Sequence, residues 1–252
     1  MMKPTILFLF NSSDYAPAPW ISDGGFNCVS IDWEKTDHSG THRAAQSTLG
    51  HTRIPLDLSL PFGYLRVLDA LDSAGLSRPS LVLSFAPCTS LAVSGSKHFK
   101  VKRELDPNFQ WKAVAMARIA EQFGCPYAVE NPVSVLATMW RKPDLYFNPC
   151  DFGYTCPPGP HPEFPDVIPE RDLYRKKSCL WTGNGFVLPL KADVPEGLMT
   201  DERNPGWAKL GGKSARTKYI RSLTPRGFAR AVYEANVFSV IYPNILETSA
   251  KP

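Results

Sequence analysis

The apolar positions of the chain follow two rhythms. Short runs, "TILFLF" (5–10), "FNCVSID" (26–32), "LVLSF" (81–85) and "CPYAVENP" (125–132), end in polar or proline residues and read as buried strands. Between them, "GYLRVLDALDSAGL" (63–76) sets Leu65, Leu68, Leu71 and Ala74 at helical spacing. The stretch "FQWKAVAMARIAEQFG" (109–124) fits a longer helix stopped by glycine, and "NSSDYAPAPWISDGG" (11–25) leaves room for only a short one. Strands alternating with helices predict an α/β fold: a mostly parallel sheet with helices on both faces.

The pattern changes after residue 140. Residues 141–172 are rich in proline and should run as extended chain and turns. "SCLWTG" (178–183) reads as a strand, and the basic stretch 211–238 ends in a segment that suits a helix from Pro225 onward. The expected organisation is a catalytic and cofactor-binding α/β domain over 1–140, a proline-rich segment with a small recognition lobe over 141–220, and a C-terminal helix and tail over 221–252 packing back on the first part. There is no internal repeat.

Composition adds bounds rather than detail. With 43% hydrophobic and 21% charged residues in 252, the chain reads as a soluble globular protein, and its net charge of +4 permits a polyanionic partner without requiring one. No apolar run suits a membrane span and the amino terminus lacks a cleavage pattern, so a cytoplasmic location is expected. The six cysteines are irregularly spaced and read as free thiols in a reducing compartment. Cys150, Cys156, His161 and Cys179 match no zinc ribbon or finger, so no metal site is expected.

Three strand ends carry residues with chemical potential: Asp32-Trp33-Glu34, Pro87-Cys88 and Glu130-Asn131-Pro132. In a parallel sheet all three project from one carboxyl edge, where ligand crevices form. Singly, each has a plain structural explanation: an inert packed thiol, a helix cap, a turn. Their co-location is the signal.

These residues resemble the cytosine-C5 DNA methyltransferase family, and the chain is most similar to its short bacteriophage and prophage members. Pro87-Cys88, six residues and Gly95, with Ser94 before the glycine, resembles the catalytic loop. Glu130-Asn131-Pro132 is similar to the Glu-Asn-Val element, and Arg221-Ser222-Leu223-Thr224-Pro225-Arg226 to the Arg-x-Leu-Thr-Pro-Arg element. Asp32-Trp33 and Asp57-Leu58 match the positions that hold the nucleoside of S-adenosylmethionine. The order is the family's order over nearly all of residues 4–236. The resemblance implies a Rossmann-like methyltransferase sheet with a small irregular C-terminal recognition lobe.

By the same resemblance, Cys88 is the nucleophile that adds to cytosine C6, activated as a thiolate by backbone amides and nearby cations. Glu130 meets ring N3, Asn131 shapes its loop, and Arg175 or Lys177 meets the base O2 or a flanking phosphate. The cofactor set is Phe10, Asn11, Ser12, Asp14, Asp32, Trp33, Asp57, Leu58 and Pro87. Ser94, Lys97, Lys213, Arg216, Lys218, Arg221 and Arg226 are the DNA-contacting candidates, with the target base flipped out of the helix. The chain departs from the family at its first loop, where Phe10-Asn11-Ser12-Ser13-Asp14 replaces a glycine-rich turn, and at Arg175-Lys176-Lys177, which replaces Gln-x-Arg-x-Arg. The region between Trp181 and Arg221 is short for a recognition domain, which implies lax sequence preference. The same thiolate chemistry on RNA or with another donor, and a non-catalytic nucleic-acid binder, are the other readings.

Overall fold

The computed structural model describes residues 3–11, 13–33, 46–48, 50–192, 210–211 and 214–242. Ser12, Glu34 and Lys213 lie outside the described residues. The core is an eight-stranded sheet built from β1 (Thr5–Leu9), β2 (Asn27–Asp32), β3 (Gln46–Thr48), β4 (His51–Pro55), β5 (Pro79–Ser84), β6 (Tyr127–Pro132), β7 (Leu145–Phe147) and β8 (Ser178–Gly183), in the order β3-β4-β2-β1-β5-β6-β8-β7. Strands β4, β2, β1, β5 and β6 run parallel, β8 runs antiparallel between β6 and β7, and β3 pairs antiparallel on the far edge. The parallel strands therefore follow a doubly wound order whose direction of winding reverses between β1 and β5, and such a reversal opens a crevice at the carboxyl edge.

Both faces of the central strands are buried, as the unbroken apolar runs require. Leu7, Leu9, Val29, Ile31 and Val82 face one layer, formed by Val67 and Leu71 of α2 (Gly63–Ser73) and Ala113, Val114 and Ala117 of α4 (Phe109–Ala117). Ile6, Phe8, Cys28, Leu81 and Leu83 face the other, formed by Trp20 of α1 (Ala18–Asp23) and Phe228, Ala231 and Val232 of the C-terminal helix Arg226–Ile241. The short helix α3 (Phe99–Leu105) precedes α4, and α5 (Leu136–Met139), α6 (Ala215–Ser222) and α7, the C-terminal helix, complete the set named here. The helix expected over 109–124 is α-helical only to Ala117. It tightens into a 3-10 stretch over Arg118–Phe123 before Gly124 closes it at φ 72°.

Two strands of the proline-rich region, β7 and β8, belong to the main sheet. A smaller cluster, Val167, Ile168, Tyr174, Leu210, Ile220 and Leu223, ties the rest of that region to α6. The start of α7 presses so closely on the turn at Pro149–Phe152 that a Cβ on Gly227 would lie 2.2 Å from the Phe152 carbonyl oxygen, which restricts the position to glycine. Among the described residues no helix is long and apolar enough to cross a membrane.

Candidate active site

Cys88 opens a 3-10 turn directly after β5, and its carbonyl accepts from the amides of Leu91 and Ala92 at 2.9 and 2.8 Å. Glu130 stands near the end of β6, the neighbouring strand. The two loops are joined through the main chain: Val93 N donates to Val133 O at 3.1 Å, Val135 N donates to Leu91 O at 3.0 Å, and Ala92 bridges to Ser134. Asn131 adds one side-chain tie. It is 1% exposed and its Nδ2 donates to Ala86 O at 2.7 Å, two residues before the thiol. The sequence-based role of Asn131, shaping the loop, thus has a definite partner.

Cys88 is exposed to solvent as a residue, yet desolvation of its thiol raises the pKa above the ordinary thiol value, and the Glu130 carboxylate adds to the rise. Lys176 and Lys102 pull the other way without prevailing. The expectation of a standing thiolate is therefore corrected: in the ligand-free protein the burial and the acid outweigh the cations. Glu130 is half-buried, and its carboxylate makes no hydrogen bond among the described residues. It lines a small pocket with Ser84, Phe85, Thr224 and Phe228.

The cation at the site is not the one expected. Arg175 acts on Cys150, and Lys177 acts on Cys179 and lies 5.2 Å from the Tyr146 ring centroid. Lys176, between them, is the one whose charge reaches Cys88, and its Nζ donates to Arg221 O at 2.9 Å. Lys102 was also missed; its Nζ donates to Thr89 O at 2.6 Å, beside the thiol. The basic string "KHFKVKR" (97–103) was the available signal.

The cofactor candidates divide. Asp32 and Asp57 lie at the adjoining ends of β2 and β4, with Trp33, 59% exposed, beside them. Asp32 Oδ1 accepts from Trp33 N at 2.8 Å, and Asp57 Oδ1 accepts from Ser59 N and Oγ at 2.9 and 2.6 Å. Pro87 is exposed at the crevice. Two candidates face inward instead: Leu58 packs in the core, and Asn11, 4% exposed, donates to Ser13 O and Ser30 Oγ at 2.8 and 3.0 Å. Phe10 closes the turn at φ 56°, a left-handed conformation that glycine adopts more readily.

Of the nucleic-acid candidates, Ser94, Lys97, Arg216 and Lys218 are exposed. Arg221 is exposed too, with Nη2 donating to Leu210 O at 2.5 Å. Arg226 is a correction. Its guanidinium donates twice to Asp172 Oδ1 at 3.1 Å, its backbone N donates to Asp172 Oδ2 at 2.5 Å, and the two side chains are only 11% and 2% exposed. It anchors α7 to the proline-rich region and does not face a phosphate. Among the described residues no three His, Cys, Asp or Glu side chains converge as a metal site.

The chain matches no protein-family model, and no curated protein matches it.

Proposed function

We propose that the chain transfers a methyl group from S-adenosylmethionine to C5 of cytosine in DNA through a covalent bond between Cys88 and C6. One observation carries the reading. A thiol and a carboxylate that influence each other electrostatically stand on two loops zipped together by main-chain hydrogen bonds, at the carboxyl edge of a doubly wound sheet.

The donor set at the neighbouring strand ends fits the nucleoside of the cofactor. Asp32 and Asp57 offer carboxylate oxygens suited to ribose hydroxyls and an adenine amine, and the Trp33 indole offers a face to stack against. When bound, S-adenosylmethionine supplies an electrophilic methyl group.

The protein's own residues account for the rest. Cys88 loses its proton and forms the S–C6 bond, which pushes the ring electrons toward C5 and N3. Glu130 donates a proton to N3, which takes up the charge of addition. With its proton on, Glu130 places no negative charge beside Cys88, which leaves Lys176 and Lys102 to favour the thiolate before addition. Once C5 has taken the methyl group, with S-adenosylhomocysteine as the leaving group, the C5 proton passes to water as the thiol's did, the S–C6 bond breaks, the C5–C6 double bond returns and N3 gives its proton back to Glu130. Exposed Lys97, Lys100, Arg103, Arg216 and Lys218 supply phosphate contacts.

DNA carrying 5-fluorocytosine tests this reading, because fluorine at C5 cannot leave as a proton and elimination stalls. A denaturation-resistant adduct should form only with cofactor present and map to the peptide containing Cys88, and Cys88→Ser should abolish it. Full methyl transfer by Cys88→Ala would sink the proposal.

A further inference from the structure

Where a glycine-rich turn would let backbone approach a ligand, this chain builds a charge pair on a buried polar relay. Asp14 Oδ1 takes Arg53 Nη2 at 2.6 Å and His51 Nδ1 at 3.1 Å. His51 is 5% exposed, and burial together with the neighbouring Arg53 charge lowers its pKa, so the ring is neutral at neutral pH. A neutral ring that donates from Nδ1 accepts at Nε2, a tautomer inferred from its partners. Ser30 Oγ, 2.9 Å away, then donates to Nε2 and accepts from Asn11 Nδ2 at 3.0 Å. Every member of the relay below the pair is buried, while Asp14 is 73% exposed and Arg53 28%.

An exposed ion pair contributes about 0–1 kcal/mol to stability, too little to explain a relay of three buried polar side chains built to aim it. Aimed groups suit a ligand. The second oxygen of Asp14 has no partner among the described residues, and Arg53 presents a cation beside it. Together they are complementary to a ligand carrying an ammonium and a carboxylate on one carbon. Arg53 pairs in register with Ser30, two residues before the Asp32–Pro55 pair at the strand ends, so the charge pair lies alongside the nucleoside candidates.

We propose that Asp14 and Arg53 receive the α-amino-acid end of the S-adenosyl ligand, with His51, Ser30 and Asn11 as positioning residues. This rests on the methyltransferase reading above and assigns the end of the ligand that Asp32, Trp33 and Asp57 do not. The pair replaces a backbone cradle by a side-chain receptor, so the site reads the amino acid by charge.

Calorimetric titration of the full chain with S-adenosylhomocysteine and with 5′-methylthioadenosine, which has the nucleoside and sulfur but no amino-acid end, tests the assignment. The first should bind at least about tenfold more tightly, the factor one charge-assisted hydrogen bond supplies. Arg53→Gln and Asp14→Asn should each bring the ratio near one by weakening S-adenosylhomocysteine alone, with unchanged far-ultraviolet circular dichroism. Asp14 lies on an exposed loop, so Asp14→Asn decides the matter if Arg53→Gln fails to fold. An undiminished ratio in the folded variant overturns the receptor. Equal binding of both ligands by the parent protein overturns it while leaving the nucleoside site standing, and binding of neither overturns the cofactor reading and the receptor together.

Discussion

The loop after β1 is held in shape by side chains, whereas those after β5 and β6 are held mainly by main chain. On the first side Asn11, Ser30, His51, Asp14 and Arg53 link residues from three chain segments. On the second, the amides of Val93 and Val135 and the Ala92–Ser134 bridge do the joining, with Asn131 and Lys102 adding side-chain ties to carbonyls of the loop after β5. Side-chain scaffolding makes the first half depend on residue identity at distant positions. Main-chain scaffolding leaves the side chains of Cys88 and Glu130 available for chemistry, since neither is needed to hold its own loop.

The largest effect is expected outside both sets of loops, at the buried charge pair that anchors α7 to the proline-rich region. Arg226→Ala leaves Asp172, 2% exposed, without its partner. The expected cost is about 3–5 kcal/mol, read as a fall in Tm of about 6–20 °C for a chain of this size. A loss below about 1 kcal/mol would mean that the pair does not anchor α7.

A matched pair of substitutions comes next. His51→Ala removes the centre of the relay and strands the Ser30 hydroxyl, so denaturant titration should show a loss of about 1–3 kcal/mol. Ser134→Ala, in the main-chain bridge, removes a buried hydroxyl that has no partner, and stability should stay within about 0.5 kcal/mol of the parent or rise. Equal costs for the two would erase the contrast.

The smallest effect sharpens what the main-chain half leaves free. Because Glu130 raises the Cys88 pKa and Lys176 lowers it, Glu130→Gln should speed alkylation of Cys88 by iodoacetamide at neutral pH, and Lys176→Gln should slow it. Each change should be a few-fold, about what a fraction of a pKa unit provides. In the trapping experiment Glu130→Gln should have the opposite sign, slowing adduct formation by about 10²–10⁴-fold as a lost general acid does. The reversal separates the electrostatic role of the carboxylate from its proton-donating one.

Local sequence was sufficient for five strands, β1, β2, β5, β6 and β8, and for the edge that β2, β5 and β6 share, but not for β3, β4 and β7, which carry no comparable apolar run. "TILFLF" and "LVLSF" are apolar but for one hydroxyl residue each because both faces of a central strand are covered, and that requirement is visible in the run itself. Pro87-Cys88 and Glu130-Asn131 could be placed at one edge because parallel strands have no other arrangement. Which cation serves the thiol was not legible. Arg175, Lys176 and Lys177 are consecutive, and which of them reaches Cys88 is decided by the path of the folded chain rather than by any local pattern. Nor could the fate of Arg226 be read: its motif resembles a nucleic-acid element, but the Asp172 that buries it lies 54 residues away in sequence. The relay under Asp14 is of the same kind. Asn11, Ser30 and His51 are unremarkable singly, and they become one device because β1, β2 and β4 lie side by side. Patterns set by the burial of neighbouring residues are written locally; pairings between charges and hydrogen-bonding groups from separate strands exist only once the sheet brings them within reach.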